Sequence, residues 1–294
     1  MTWPARVAIV GAGTMGVGIA RVFGSHGIPA VLVDTTAERA EAAAATVALP
    51  AVAAAASVGE AVAGADLVVE AVVERPDVKT EVYAAVEAAA ADDAVIATNT
   101  SSIPIAELSQ GLRWPERFLG MHWFVPPLLV PCVEVIPGPS TQDGVIDRVV
   151  SALTSLGKAA VVVGDGPGFV ANRIQFAMFR EAARIVEDGL ATPEQVDEVV
   201  RSSFGYRLPF FGPFRIADMA GLDVYADIFE TLERGLGPGF STPAVLREHV
   251  DRGELGVKAG GGFSRLSQSE ADELIAKRDR AYAGLARLKE EVAL

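Results

Sequence analysis

Cysteine is almost absent from the sequence: Cys132 is the one cysteine in 294 residues. A single cysteine excludes a disulfide within the chain and fits a reducing compartment, so we expect a cytoplasmic protein. Cys132 lies between Pro131 and Val133 in an apolar run, which favours packing in a strand over a role as a nucleophile. We assign no metal-ligating residue.

Basic residues and long apolar runs are also scarce. The 25 lysines and arginines are outnumbered by 38 aspartates and glutamates, and the formal net charge is -13 at pH 7. Such a chain is not expected to bind nucleic acid or an anionic membrane surface. The alanine-rich stretch 42–58 is interrupted by Pro50 and is too weakly apolar to span a bilayer. No charged leader with an apolar core precedes the first predicted strand near Val7, so we expect no secretion signal.

What the sequence does have is an alternation of short apolar runs and helix-compatible segments. Residues 6–34 are typical of a strand, a glycine turn, a helix and a second strand, which together make one βαβ unit. Further apolar runs at "DLVVEAVV", "AVIATNT", "FLGMHWF" and "CVEVIPG", and a closing "AAVVVG", extend a mostly parallel sheet. We predict an α/β fold: a doubly wound Rossmann-type N-terminal domain followed by an all-helical C-terminal domain.

The pattern changes at the turn-rich "DGPG", residues 165–168. We therefore predict a dinucleotide-binding domain over residues 1–165 and a helical substrate and dimerisation domain over residues 166–294. In the second domain a helical stripe is formed by Phe169, Ile174, Met178, Ala182 and Ile185. Thr192 and Gln195 are spaced for a capping box at the start of the next helix.

The turn "GAGTMG" places a G-x-G-x-x-G pattern between the first strand and the first helix. Such a turn lets backbone amides and the helix N-terminus approach a pyrophosphate. The predicted cofactor-binding residues of this turn are Gly11, Gly13, Thr14, Met15 and Gly16. Asp34 ends the second strand, where a carboxylate can bind the adenine-side ribose and repel a 2′-phosphate. The expected cofactor is therefore NAD and not NADP.

Eight motifs along nearly the whole chain resemble the 3-hydroxyacyl-CoA dehydrogenase family in order and spacing. They are "GAGTMGVGIA", "DLVVEAVVERPDVKTEVY", "NTSSIPI", "GMHWFVPP", "VEVIPG", "GPGFVANRI", "GPFRIADMAGLD" and "LGVKAGGGF". The resemblance implies an NAD-dependent oxidoreductase that interconverts a 3-hydroxyacyl group and its 3-oxo form, and a homodimer formed through the helical half. "GMHW" and "GYRLPFFGPFRIADMAGLDVY" also resemble the branch that includes a pyridine-carboxylate dehydrogenase.

The resemblance implies roles for individual residues as well. His122 matches the family's catalytic histidine and Glu134 the carboxylate that orients it. Ser101 and Asn172 fall where the family places its substrate-side hydroxyl and amide. Glu74 and Lys79 match residues that line the nicotinamide half of the cofactor site. Ser101 and Lys258 also match cofactor-binding positions of the family. On their own, the two lysines would be interpreted as solvated surface charges.

The residue types suit this chemistry. Oxidation of a secondary alcohol requires a base for the hydroxyl proton as hydride leaves carbon, and an imidazole titrates near neutral pH. A histidine between Met121 and Trp123 would by itself be a packed, half-buried side chain. Glu134 in the apolar run "CVEVI" favours catalysis, because a buried carboxylate is costly unless it is paired. His26 and His249 have no such company, so we interpret both as structural.

Two features depart from the family's pattern. Val125 stands where members usually have an asparagine, and valine can neither donate nor accept a hydrogen bond. Between Asp34 and Glu70, where many members carry a protruding helix pair with basic residues for coenzyme A, Arg39 is the one basic residue. Lysine or arginine normally meets the phosphates of coenzyme A. The alternative substrate is a small or aromatic hydroxy acid or alcohol, or an acyl group on a carrier protein.

Two rival classes share the opening motif. The β-hydroxyacid dehydrogenases begin with "GAGTMG" but use a lysine base in a G-x-x-G-x-x-x-K helix, and no such segment follows residue 165. A non-catalytic dinucleotide-binding protein is the other alternative. It would bind NADH without turnover, and the pair of His122 and Glu134 counts against it.

Overall fold

The computed structural model describes residues 3–292. Eight strands of this part of the chain form one sheet in the order β3-β2-β1-β4-β5-β6-β7-β8. The strands are β1 Val7–Val10, β2 Ala30–Val33, β3 Val52–Ala54, β4 Leu67–Glu70, β5 Val95–Thr98, β6 Phe118–Trp123, β7 Cys132–Pro137 and β8 Ala159–Val162. All neighbours are parallel except β6 and β7, which are antiparallel. The predicted mostly parallel sheet is confirmed.

Six helices connect the strands of the sheet, and six more follow the last strand in the described part of the chain. The connecting helices are α1 Thr14–Ser25, α2 Ala37–Val47, α3 Val58–Val62, α4 Pro76–Glu87, α5 Ile105–Leu108 and α6 Asp143–Ser155. The later helices are α7 Ala171–Glu187, α8 Pro193–Ser202, α9 Pro213–Ala220, α10 Leu222–Leu236, α11 Ala244–Asp251 and α12 Gln268–Glu291. Among residues 3–292, no helix combines the length and the apolar character needed to cross a membrane.

The sheet is covered on both faces, and its central strands β1, β4 and β5 are buried at every position. In β1, Val7 and Ile9 pack into one core with side chains of α1, α2 and α6. Ala8 and Val10 of the same strand pack into a second core with side chains of α3, α4 and α5. Successive side chains of a strand point to opposite faces, so a continuous apolar run needs a helical layer on each side. This arrangement is the doubly wound fold that the sequence predicts.

A buried lysine ties down the loop between β6 and β7. Lys158 donates from Nζ to the carbonyl oxygens of Pro127, Leu128 and Val130. Burial lowers the pKa of Lys158. The segment that follows "GMHW" is therefore held by a side chain from the start of the distant strand β8, and the sequence alone gave no signal of this contact.

The chain packs as two compact units that divide between Phe179 and Arg180, within α7. The sequence predicts the boundary near residue 165 instead, and we retain that position as a proposal because the change from strands to helices follows β8. The second unit contains α8 to α12, and between residues 180 and 292 its β-pairing is limited to isolated bridges at Gly256, Gly261 and Arg265.

Two expectations about the second half need correction. Phe169 does not extend the predicted helical stripe, because its φ of 49° places it before α7, and its side chain is buried in a core of the sheet. His249 does have a carboxylate partner, because its Nδ1 lies 2.6 Å from Oε2 of Glu254, across the turn that ends α11. The capping box of Thr192 and Gln195 is confirmed.

Candidate active site

The glycine turn after β1 is packed too closely for a side chain at two of its three glycines. A Cβ on Gly16 would lie 1.8 Å from the carbonyl oxygen of Gly11, and a Cβ on Gly11, whose φ is 104°, would lie 2.5 Å from the carbonyl oxygen of Ala71. Gly13 faces open space and is the N-cap of α1, with no side chain bound to the first amides of the helix. Free amides at a helix N-terminus attract an anion. The turn therefore fits the pyrophosphate of a dinucleotide.

The other two predicted residues of this turn take different positions. Thr14 is exposed in the first turn of α1. Met15 is half-buried and packs against the core beneath the sheet. Their assignment to cofactor binding stays a prediction.

Asp34 lies beside the turn at the carboxyl end of β2. Its Oδ2 accepts a hydrogen bond of 2.8 Å from the amide of Ala12, and its Oδ1 accepts from the amide of Thr35 and from Nε of Arg39, both at 2.8 Å. Burial opposes ionisation, but the two amides and the guanidinium outweigh it and lower the pKa of Asp34. Asp34 is therefore an anion at neutral pH, as binding a ribose and repelling a phosphate requires.

A cavity of about 360 Å³ extends from Asp34 along the carboxyl ends of the strands. It is lined by Val10, Gly11, Gly13, Asp34, Thr35, Arg39, Val58, Ala71, Val72, Val73, Val78 and Val82. Half of these residues are valines, which suits an apolar adenine ring, and Asp34 supplies one carboxylate for the ribose.

His122 and Glu134 meet because their strands are antiparallel and in register. The two residues are directly opposite each other on β6 and β7, and Nδ1 of His122 lies 2.8 Å from Oε2 of Glu134. Each residue is 3% exposed. The other oxygen of Glu134 accepts hydrogen bonds from the amides of Val170 (3.1 Å) and Ala171 (2.9 Å) at the start of α7. The carboxylate is thus fixed by the backbone on one side and by the imidazole on the other.

Two phenylalanines surround the imidazole. The ring centroid of Phe124 lies 4.5 Å from that of His122, and that of Phe169 lies 5.7 Å away. Val125, the departure from the family's asparagine, is largely exposed in the loop that follows. The surroundings of the histidine are therefore aromatic, and neither phenylalanine was predicted as part of the site.

Ser101 and Asn172 are held together. Nδ2 of Asn172 donates to the backbone oxygen of Ser101 at 2.9 Å. Asn99, which the sequence did not single out, accepts at 2.9 Å from the amide of Trp123, the residue after His122. These contacts link the turn after β5 to β6 and to the start of α7. All four residues predicted to be catalytic are therefore close to one another.

Glu74 and Lys79 belong to one polar network, in which Lys79 is buried and the Glu74 side chain is 38% exposed. Lys79 is 1% exposed, so the alternative of a solvated surface charge is wrong. Its Nζ lies 3.2 Å from Oε2 of Glu74 and 2.8 and 2.9 Å from the two oxygens of Glu70. Glu70 was missed, although it ends an apolar strand as Asp34 does. Burial opposes ionisation of Glu74, but Thr100 and Lys79 outweigh it and lower the pKa of Glu74.

Lys258 lies in the second unit, where its Nζ is 2.6 Å from both carboxylate oxygens of Asp223. This ion pair gives Lys258 a partner within its own unit. Its assignment to the cofactor stays a prediction. Among residues 3–292, no three His, Cys, Asp or Glu side chains come together as metal ligands would.

Models of two family domains match the chain. The NAD-binding domain of 3-hydroxyacyl-CoA dehydrogenase matches residues 6–55 and 47–166, and the C-terminal domain of 3-hydroxyacyl-CoA dehydrogenase matches residues 168–266. The chain belongs to the 3-hydroxyacyl-CoA dehydrogenase family. It is an NAD-dependent oxidoreductase, and the predictions of family, fold class and cofactor are confirmed.

Relatives within the family differ in the substrate that their names state. The chain is 34% identical to 5-formyl-3-hydroxy-2-methylpyridine 4-carboxylate 5-dehydrogenase of Mesorhizobium japonicum, over 97% of this chain and 98% of that protein. It is 38% identical to a probable 3-hydroxybutyryl-CoA dehydrogenase of Bacillus subtilis, over 68% of this chain and 69% of that protein.

Solved structures of both kinds of dehydrogenase, those named for acyl-CoA substrates and those named for a pyridine carboxylate, resemble this chain. A 3-hydroxyacyl-CoA dehydrogenase of Archaeoglobus fulgidus superposes with a TM-score of 0.85 at 32% identity, over 96% of this chain and 99% of that one. A 5-formyl-3-hydroxy-2-methylpyridine 4-carboxylic acid 5-dehydrogenase, described as an NAD⁺ dependent dismutase, superposes with a TM-score of 0.75 at 34% identity, over 97% and 98% of the two chains.

The charge of Asp34 is expected to set the preference for NAD. Replacement of Asp34 by Ala removes the repulsion of a 2′-phosphate and leaves Arg39 free to pair with it, so the ratio of NADH to NADPH affinity should fall about tenfold or more. Fluorescence titration with both reduced dinucleotides measures this ratio. The control is Glu38→Gln, which removes an exposed carboxylate in the first turn of α2. An unchanged ratio in Asp34→Ala would contradict the assignment.

Proposed function

We propose that this protein oxidises a hydroxyl group to a carbonyl, and reduces it in reverse, with His122 as the general base and Glu134 as the residue that orients it. The observation that carries the proposal is the buried, directly paired contact of 2.8 Å between these two side chains. NAD, when bound, accepts the hydride. The glycine turn and Asp34 support its placement at the carboxyl ends of the strands.

The contact with Glu134 determines which nitrogen of His122 is the base. A carboxylate only accepts, so the proton of the neutral imidazole is on Nδ1 and is donated to Glu134. Nε2 is left with its lone pair free to take the hydroxyl proton. Glu134 then stabilises the imidazolium that forms. Because the amides of Val170 and Ala171 hold the other carboxylate oxygen, the imidazole has little freedom to turn away.

Ser101 and Asn172 position the substrate beside the histidine. Asn172 donates to the backbone oxygen of Ser101 and so fixes this residue, whose hydroxyl we assign to binding the reacting oxygen. A fixed hydroxyl donor at that oxygen stabilises the charge that develops during hydride transfer.

We propose a compact substrate without coenzyme A. Between residues 35 and 70, α2 buries Ala43 and Val47, and α3 buries Ala61 and Val62, in the cores of the sheet. The one basic residue of this interval, Arg39, is already paired with Asp34. A coenzyme A phosphate would therefore meet no free basic group in this interval. The relative that acts on a pyridine carboxylate matches 97% of the chain, which supports an aromatic or small hydroxy acid, alcohol or aldehyde hydrate.

A 3-hydroxyacyl-CoA is the second candidate substrate. It is supported by the family models and by relatives named 3-hydroxybutyryl-CoA dehydrogenase. A non-catalytic NAD-binding protein is supported less, because it gives no reason for a buried histidine to be paired with a buried glutamate.

Replacement of His122 tests the base. In His122→Ala the affinity for NADH should persist, because His122 is distant in sequence and role from the glycine turn, while turnover should fall about 10²-fold or more. Glu134→Gln should lower turnover in the same direction, because glutamine can present its amide to Nδ1 and favour the other tautomer.

The matched control is His249→Gln, which breaks a second contact between a histidine and a glutamate, at 2.6 Å, away from the predicted site residues. It should leave turnover close to that of the parent. Retention of turnover within tenfold in His122→Ala would overturn the proposed role.

A substrate screen separates the two candidates. NAD⁺ reduction is measured with free hydroxy acids, aromatic alcohols and aldehydes, and 3-hydroxybutyryl-CoA, each over a range of concentrations. We expect a compact compound to be turned over most efficiently and free coenzyme A to compete poorly. Saturating binding and efficient turnover of acetoacetyl-CoA with NADH would contradict a substrate that lacks coenzyme A.

We also propose that two copies of the chain associate through α7. This helix buries none of its side chains within the chain, and it exposes Phe176 (64%) and Phe179 (68%) together with Ile174 and Met178. An exposed apolar surface of this kind is costly in a monomer and is typical of an interface.

Sedimentation velocity tests this association. The parent should sediment as a dimer, and the double variant Phe176→Asp/Phe179→Asp should sediment as a monomer, because two carboxylates would be buried at the interface. Leu129→Asp places a charge on an apolar side chain that is 76% exposed outside α7, and it should leave the dimer intact. A monomeric parent would contradict the proposal.

A further inference from the structure

Glu70 is a buried carboxylate that the proposed reaction does not use. It ends β4 and is 0% exposed. Its Oε1 accepts from the amide of Val72 at 2.7 Å and from Nζ of Lys79 at 2.8 Å. Its Oε2 accepts from Lys79 at 2.9 Å, from the hydroxyl of Tyr83 at 2.8 Å and from that of Thr98 at 2.7 Å. Both oxygens are fully engaged with donors, so Glu70 has no free lone pair for a ligand.

Lys79 connects this carboxylate to a second one. The same Nζ that contacts both oxygens of Glu70 also lies 3.2 Å from Oε2 of Glu74. An ammonium group has three protons, and the two carboxylates use them. Since Lys79 is 1% and Glu70 0% exposed, water does not screen the contact between them, whereas the Glu74 side chain is 38% exposed. The position of the ammonium group therefore depends mainly on Glu70.

Glu74 in turn holds the turn that carries Ser101. Its Oε1 accepts from the amides of Ser101 (2.8 Å) and Ser102 (3.2 Å) and from the hydroxyl of Thr100 (2.5 Å). A second route joins the same turn to Glu70, because Thr98 donates its hydroxyl to Glu70 and accepts from the amide of Thr100 at 3.2 Å. Two independent paths of hydrogen bonds thus lead from Glu70 to the turn at residues 100–102.

Burying charged side chains in a core costs free energy, because the charges lose their hydration. Replacing a buried ion pair by apolar side chains of similar volume is often neutral or stabilising, so stability alone gives little reason for the buried pair of Lys79 and Glu70. A fully satisfied polar network does fix one geometry of the groups that it contacts. Burial and the charge of Glu70 raise the pKa of Tyr83 well above its usual value, which keeps this donor protonated.

We propose that Glu70 is a positioning residue of the active site, which acts through Lys79 and Glu74 to fix the turn bearing Ser101. This inference rests on the proposed role of Ser101 in the reaction, but its first test does not require turnover.

The rate of hydrogen exchange of the amides in peptide 99–104, measured in the full-length protein, reports directly how firmly this turn is held. In Glu70→Gln, Lys79 loses one of its two carboxylate partners, so exchange at Ser101 and Ser102 should accelerate about tenfold, the equivalent of one hydrogen bond. The matched control is Asp66→Asn, since Asp66 precedes the same strand at its other end and accepts from the amides of Ala5 and Arg6. The control should leave exchange in this peptide unchanged.

A double-mutant cycle tests whether Glu70 acts through Glu74. Glu74→Gln alone should also accelerate exchange at Ser101, and the further change Glu70→Gln should then add less than it does in the parent, with the remainder carried by Thr98. Turnover of the fastest compound of the screen should fall about tenfold in Glu70→Gln. If Glu70→Gln does not fold, Lys79→Arg serves as the second variant. A guanidinium keeps the positive charge, but it lacks the single nitrogen that contacts both Glu70 and Glu74.

Three results would overturn the inference. Unchanged exchange at Ser101 in Glu70→Gln would show that the turn does not depend on this residue. Equal acceleration across all peptides of the sheet would show that Glu70 only stabilises the fold. Full additivity in the cycle would show that Glu70 does not act through Glu74. If the proposed function is wrong, His122→Ala retains its turnover. If the role of Glu70 is wrong, the exchange experiment fails, so the two failures are distinguishable.

Discussion

The antiparallel pairing of β6 with β7 is the constraint on which the site depends. It places His122 directly opposite Glu134 in a sheet that is otherwise parallel around this point. A shift of register by one residue would turn every side chain of β7 to the other face and separate the pair. The flanking residues prevent such a shift, because Met121, Trp123, Val133 and Val135 are all buried in one core. Hydrophobic packing thus sets the geometry of a polar contact.

Backbone amides recur as the partners of the buried carboxylates in this acidic chain. Asp34 accepts from two of them, Glu70 from one and Glu134 from two. Amides that the sheet and the helix starts leave unpaired require acceptors, and these carboxylates supply them. The same contacts fix the glycine turn and the start of α7. A protein with few lysines and arginines can hold its anionic groups in this way.

Much of the sheet and part of the site could be predicted from sequence, because local patterns specify them. The apolar runs gave the strands, and Asp34 followed from its place after "AVLV". Glu70 has the same signal after "LVV", yet its partners Lys79, Tyr83 and Thr98 lie on other elements and have no local signature. The partner of His249 was five residues away and was missed because a turn brings Glu254 back. Phe169 was assigned to a helix by its periodicity, whereas the "DGPG" segment gives it a positive φ.

The central claim is that Glu134 holds His122 with its proton on Nδ1. Nitrogen-15 NMR of the histidine-labelled protein measures this directly, and with three histidines in the sequence, the variant His122→Ala assigns the signal. At a pH where the ring is neutral, the account predicts a protonated Nδ1 and an unprotonated Nε2 for His122, and a change of this pattern in Glu134→Gln. A proton on Nε2, or a signal that Glu134→Gln does not alter, would contradict it.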